Sequence, residues 1–408
     1  MPADTPLPRC PLVYVPQVTT CDPAELTPLV EWLQTANDDD DNLPRVFARG
    51  TALPDGRLDL CKQSIGPGGL ARTLGALRDG RPVRHLLLGT NGLGDDGART
   101  LANHAAASES LHTLYLGCNM IHAPGAEALA DAVAGNPQVS ALWLKRNPLG
   151  EDGAAVIAGL VARTTTLQVL DVDNTMLGDA GCARVLDALA DNASIRHVYL
   201  GSNGAGPQAA RAAAAMLSRN RTLQSLYLGA SELRDDGIRE LIAGGLTRNT
   251  TLDTLVVSSN RIGAYGLALL ADAPASSIAL RSLDLGVSSS ALALQIAPNH
   301  YGDAGAAHLA AWLRRDPPGP AIAELDLRDS GITSRGAQLL ASALEDDNRR
   351  LATLRLGKGI ARTIRRRIAT ALAGRPAPRE LPAHLAAIQS VYRMVGGRVI
   401  HRDDIDAD

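Results

Sequence analysis

The chain has 408 residues and a formal charge of −3, from 40 basic and 43 acidic side chains. So balanced a surface gives no general attraction to nucleic acid or to an anionic membrane. No apolar run approaches the roughly 18 residues that a spanning helix needs, and 45% hydrophobic content over this length is ample for a buried core.

Residues 1–54 precede a regular pattern. Met1-Pro-Ala-Asp-Thr5 lacks a basic region followed by an apolar stretch, so no secretory signal is expected. Leu26, Leu29, Val30 and Leu33 fall at helical spacing and predict a helix that caps the first element of a stack. Asp38–Asp41 lacks the Gly and distal Glu of a calcium loop and reads as solvated. The cysteines, Cys10, Cys21, Cys61, Cys118 and Cys182, are odd in number and show no C-x-x-C spacing. Reduced thiols in a cytoplasmic protein are the expectation.

From Leu58 the chain repeats. Leu58, Leu86, Leu114, Leu142, Leu170, Val198 and Leu226 are each separated by 28 residues. The spacing is then 29 to Leu255, 28 to Leu283, 42 to Leu325 and 29 to Leu354, giving eleven strand segments. The unit reads L-x-x-L-x-L-x-x-N-x-L-G-x-x-G, as in Leu111-His-Thr-Leu114-Tyr-Leu116-Gly-Cys-Asn119 and Val139-Ser-Ala-Leu142-Trp-Leu144-Lys-Arg-Asn147. Its L-x-L centre has the period of a strand, with the leucines inward. The following segment, such as 126–133, has the period of a helix. Acidic residues in the G-D-x-G turns, such as Asp95 and Asp179, suit a helix start. Strands stack at about 4.8 Å and helices at about 8–10 Å, so the stack curves with its strands on the concave side.

These motifs resemble leucine-rich repeats, and the 28-residue length with G-D-x-G resembles the ribonuclease-inhibitor-like subfamily. The resemblance covers residues 55–374. It implies an α/β horseshoe solenoid of about 11 repeats, with a concave parallel β-sheet and outer helices. An insertion, 288–298, interrupts it. Within that insertion Leu292, Leu294 and Ile296 alternate with other residues, and the segment would fold back or touch a partner. Residues 360–374 form a basic amphipathic helix, the last of the repeats. Residues 375–408 supply a C-terminal cap segment, with a short helix over 384–393, and a disordered acidic tail.

The residue between the last two leucines of each unit faces the concave side. Down the stack these are Asp59, Leu87, Tyr115, Trp143, Asp171, Tyr199, Tyr227, Val256, Asp284, Asp326 and Arg355. Only eleven aromatics exist in the chain, and four fall in this column. Because nothing in the repeat covers the column, exposed aromatics here mark a binding surface. Lys145, Arg146, Arg196 and His197 flank it as a polar rim. The expected partner-binding residues are therefore Tyr115, Trp143, Asp171, Tyr199, Tyr227, Lys145, Arg146, Arg196, His197, Asp284 and Asp326.

The Asn at the ninth repeat position (Asn91, Asn119, Asn147, Asn203, Asn260) reads as structural, bonding turn backbone. Gly66-Pro-Gly-Gly-Leu-Ala71 aligns with the repeat turn and is no dinucleotide site. No nucleophile elbow, phosphate loop or metal-ligand spacing occurs, so no catalytic residue, metal or small-molecule cofactor is expected. The leading expectation is a non-catalytic protein–protein interaction scaffold. Alternatives are a GTPase-activating or other enzyme-regulating partner, and a bacterial effector acting in a host cytosol. Lysine scarcity (Lys62, Lys145 and Lys358 alone) suits the last but follows equally from GC-rich coding.

Overall fold

The computed structural model describes residues 18–35, 43–77, 83–273, 279–315, 321–345, 350–375, 381–395 and 398–402. They form two compact units, one from described residues 18–175 with 381–402, the other from 176–375. Each is an open stack of strand–helix repeats, an α/β solenoid architecture.

In the N-terminal unit the strands Arg57–Asp59, His85–Leu87, Thr113–Tyr115, Ala141–Trp143 and Val169–Asp171 pair in parallel. Leu58, Leu86, Leu114, Leu142 and Leu170 are direct partners across the sheet and fully buried. A one-residue slip would turn all of them out, so burial fixes the register. Two antiparallel strands unseen in the sequence, Arg45–Val46 and Thr51–Ala52, add to the first parallel one and cover its edge. A 3₁₀ turn Pro23–Leu26, capped by Asp22, runs into the helix Thr27–Thr35. Leu26, Leu29, Val30 and Leu33 are buried, and Arg72 of the helix Gly66–Ala76 donates to the Pro23 carbonyl.

The C-terminal unit pairs His197–Tyr199, Ser225–Tyr227, Thr254–Val256, Ser282–Asp284, Glu324–Leu327 and Thr353–Leu356 in the same way. The extra residue between Leu226 and Leu255 is absorbed in a helix, where Arg234–Glu240 widens into a π turn, Leu241–Leu246. The insertion is a short helix, Ser289–Leu294, capped by Ser288 and ended by Gln295 in the left-handed region (φ 55°).

Buried asparagines tie neighbouring turns together. The Asn119 side chain donates to the carbonyls of Leu88 (2.9 Å) and Leu116 (3.0 Å). Its Oδ1 accepts the Asn91 amide (2.9 Å). Asn147 repeats this with Leu116, Leu144 and the Asn119 amide. After the insertion Asn299 takes the position, donating to Val257 and Leu285 and accepting from Asn260. A second series sits where helices end. Asn136 donates to Ala105 and Ser108, Asn220 to Leu189 and Asn192, and Asn249 to Leu217 and Asn220.

The acidic turn residues act on the next repeat, not on their own. Asp179 accepts the amides of Gly206, Gln208 and Ala209 (2.8, 3.0 and 2.8 Å), satisfying the start of the helix Pro207–Arg219. Asp95, Asp235 and Asp303 reach His122, Gly263 and Thr333 likewise. At Gly336 this excludes a side chain, because a Cβ there would lie 2.5 Å from Asp303 Oδ1, whereas at Gly153 the crowding comes from Leu149 Cβ of its own turn. Residues 384–393 do not form one helix. The chain makes a short turn of helix, Ala383–Ala386, then the antiparallel strands Tyr392–Val395 and Arg398–His401. The acidic stretches 38–41 and 403–408 lie outside the described residues.

Removing the Asp179 carboxylate leaves three helix-start amides without an acceptor. Asp179→Ala should lower unfolding free energy by about 1–2 kcal/mol in urea titration. An unchanged midpoint would refute the inter-repeat cap.

Candidate protein-binding face

The strands put the residues of the outward column in direct register on the sheet face turned away from the core leucines. In the N-terminal unit Asp59, Leu87, Tyr115, Trp143 and Asp171 are successive partners. The expected exposure fails here. Trp143 is 1% exposed and Asp171 2%, while Asp59 and Leu87 are fully buried. The cover is the chain itself, with His384 stacked on Trp143 (centroids 6.2 Å, 21°) and Tyr115 tilted against it at 6.5 Å. Tyr115 stays half-buried, with Lys145 Nζ 5.3 Å from its ring centroid.

Burial pushes the Asp171 carboxyl up, against the pull of Lys145 and of the Asp173 amide it accepts (2.8 Å). Asp173 is pushed up by burial and by the Asp171 charge. Arg146, half-buried with φ 56°, holds its side chain on the same loop. Tyr115, Trp143, Lys145, Arg146 and Asp171 thus form one aromatic and charged cluster.

In the C-terminal unit Tyr199, Tyr227, Val256, Asp284, Asp326 and Arg355 are successive partners. Tyr199 and Tyr227 stack at 4.0 Å and 18°, and both remain half-buried. Beside them Arg196 is exposed, and His197 Nδ1 meets Ser225 Oγ at 3.0 Å. Asp326 is buried and gripped by Arg328 Nε through both oxygens (3.0 and 2.9 Å), with Arg355 at 3.8 Å. Burial and the Asp326 charge raise Asp284 to about 6. Among the described residues no group of three His, Cys, Asp or Glu is placed to hold a metal, and no helix is long and apolar enough to cross a membrane.

Sequence reasoning missed His384 and Tyr392 as constituents of this face. The signal was present: two β-rich runs, Tyr392–Val395 and Arg398–His401, flank Gly396-Gly397, a hairpin pattern.

A family model described as Leucine Rich repeat matches residues 107–130 and 248–271. The chain carries leucine-rich repeats. These repeats are in general binding scaffolds for proteins rather than enzymes. Comparison with curated proteins gives no match. Among solved structures, the chain is similar to one described as Rad7 and Elc1 complex in yeast (14% identity, 86% of this chain and 81% of that one, TM-score 0.43). It is also similar to an internalin, inlF, from Listeria monocytogenes (15%, 79% and 85%, TM-score 0.39). A third is the tropomodulin C-terminal domain of Caenorhabditis elegans (14%, 41% and 93%, TM-score 0.32).

Two outcomes follow from the repeat geometry. Trp143→Ala should cost about 3–5 kcal/mol of folding stability as a buried truncation, and an unchanged denaturant midpoint would contradict its burial. For Asp284 the folded carboxyl keeps its proton to about 6, above its ordinary value of 3.8. Unfolding releases that proton between these values, so this group's contribution to stability falls as pH rises through the window. Urea midpoints of Asp284→Asn relative to the parent should rise from pH 4 to 7; a constant difference would contradict the shift.

Proposed function

We propose that this chain is a non-catalytic scaffold, of the ribonuclease-inhibitor-like subfamily with 28-residue repeats, that binds a protein ligand on the sheet face turned away from its core. The observation that carries this reading is the half-buried Tyr199–Tyr227 stack, set beside exposed Arg196 and continued by Asp284, Asp326, Arg328 and Arg355. An aromatic centre with a charged rim has the composition of a protein-interface hot spot. The repeat's stability does not demand it, because the inward leucines already fill the core. Half-buried Tyr115, Lys145 and Arg146, beside the buried Trp143 and Asp171, supply the corresponding set in the N-terminal unit, and His197 orients the edge. Free thiols at Cys21, Cys61, Cys118 and Cys182 fit a reducing compartment, and we place the protein in the cytoplasm.

The test is affinity capture from a cytosolic extract with the parent chain and a Tyr199→Ala, Tyr227→Ala variant, followed by measurement of Kd for the retained protein. The double variant should weaken binding by about 2 kcal/mol or more. Equal affinity of the two forms, both folded by circular dichroism, would contradict the reading.

A further inference from the structure

The C-terminal segment 381–402 lies on the N-terminal unit through contacts resembling those of a bound peptide. Asp59 is fully buried, and its carboxylate accepts the Val391 amide (2.7 Å), the Ser390 hydroxyl (3.2 Å) and the Cys61 amide (3.0 Å). Two of those three donors belong to the segment. Lys62 Nζ donates to the Tyr392 carbonyl (2.7 Å), and Arg57 donates to the Gln389 carbonyl (2.7 Å). Deeper in, the Tyr392 hydroxyl meets the fully buried Thr51 hydroxyl at 2.8 Å. Farther along the sheet, His384 covers Trp143. One short segment therefore spans the four strands from Arg57–Asp59 to Ala141–Trp143, about 14 Å at ordinary strand spacing.

The chemistry is that of peptide recognition. A carboxylate reads one main-chain amide and the Ser390 hydroxyl, two cations read main-chain carbonyls, and the buried Thr51 hydroxyl reads one tyrosine. A buried carboxylate needs such donors or a return to water, so the site selects an occupant that supplies them. The segment contributes no strand to the repeat sheet; its own two strands pair with each other.

We propose that residues 381–402 are a detachable internal ligand that closes the N-terminal face, and that this face takes a peptide carrying a Ser-x-Tyr pattern. The proposal rests on the sheet face being a binding surface and adds its regulation and ligand class. A tethered occupant acts at an effective concentration of millimolar order, so an outside peptide competes poorly until the tether is cut.

The experiment places a single protease site between Arg375 and Leu381 of the full chain and cuts it after folding. A fluorescent peptide of residues 381–402 is then titrated into cut and uncut protein. Saturable exchange into the cut form, with at least about tenfold weaker binding to the uncut form, supports the proposal. The same peptide with Ser390→Ala and Tyr392→Ala should bind the cut form about tenfold more weakly or worse. Because these changes sit in the peptide, folding of the protein is not at issue. No exchange into the cut form, equal binding to both forms, or indifference to the two substitutions would overturn it. None of these readouts uses the Tyr199–Tyr227 face, so failure here and failure of the capture experiment are separable.

Discussion

The structure depends on how buried turns between strand and helix satisfy their backbone. A repeat that places its strands edge to edge buries the loop after each strand, where alternate amides continue the ladder, as Thr90 does to the Gly117 carbonyl (2.9 Å), and the groups between them, such as the Leu88 and Leu116 carbonyls, need side-chain partners. Asparagine meets this need in one side chain, with two donors and an acceptor reaching both its own turn and the preceding one. Asn119 serves Leu88, Leu116 and Asn91 at once. Each turn thereby becomes the template for its neighbour, and regularity follows from bonding between repeats. Asp179 and its equivalents do the same for the helix starts.

The outward column lies outside the leucine core. Its aspartates close their own turns, Asp59, Asp171, Asp284 and Asp326 each accepting the amide two residues on, while its tyrosines are left for recognition. In the C-terminal unit that column holds stacked tyrosines followed by an acid–arginine group. In the N-terminal unit Asp59 and Trp143 are engaged by the chain's own segment. Asp326 is buried by the repeats' own Arg328 and Arg355, whereas the donors on Asp59 and the ring on Trp143 come from the C-terminal segment.

Much of the fold was legible because its signals are periodic. The leucine spacing gave each strand from Leu58 to Leu354, and the ninth-position asparagines were read as structural before their bonds were seen. Single events were harder. The π turn 241–246 is visible in sequence only as one surplus residue. Asn136, Asn220 and Asn249 also recur, but at helix ends where asparagine is commonplace. The column residues were placed correctly in register, whereas their exposure was not. Covering Trp143 and Asp59 takes a segment more than 200 residues away along the chain, which no local pattern encodes. Residues 384–393 read as a helix in sequence, and neither that nor any local pattern points to where the segment packs.

Amide hydrogen exchange on the intact chain tests the central constraint most directly. If asparagine side chains hold the turns together, the amides of Asn91, Asn119 and Asn260 exchange as slowly as strand amides such as that of Leu114, because opening one turn unlocks its neighbours. Exchange of those three at the rate of exposed loops, with the strands still protected, would contradict it.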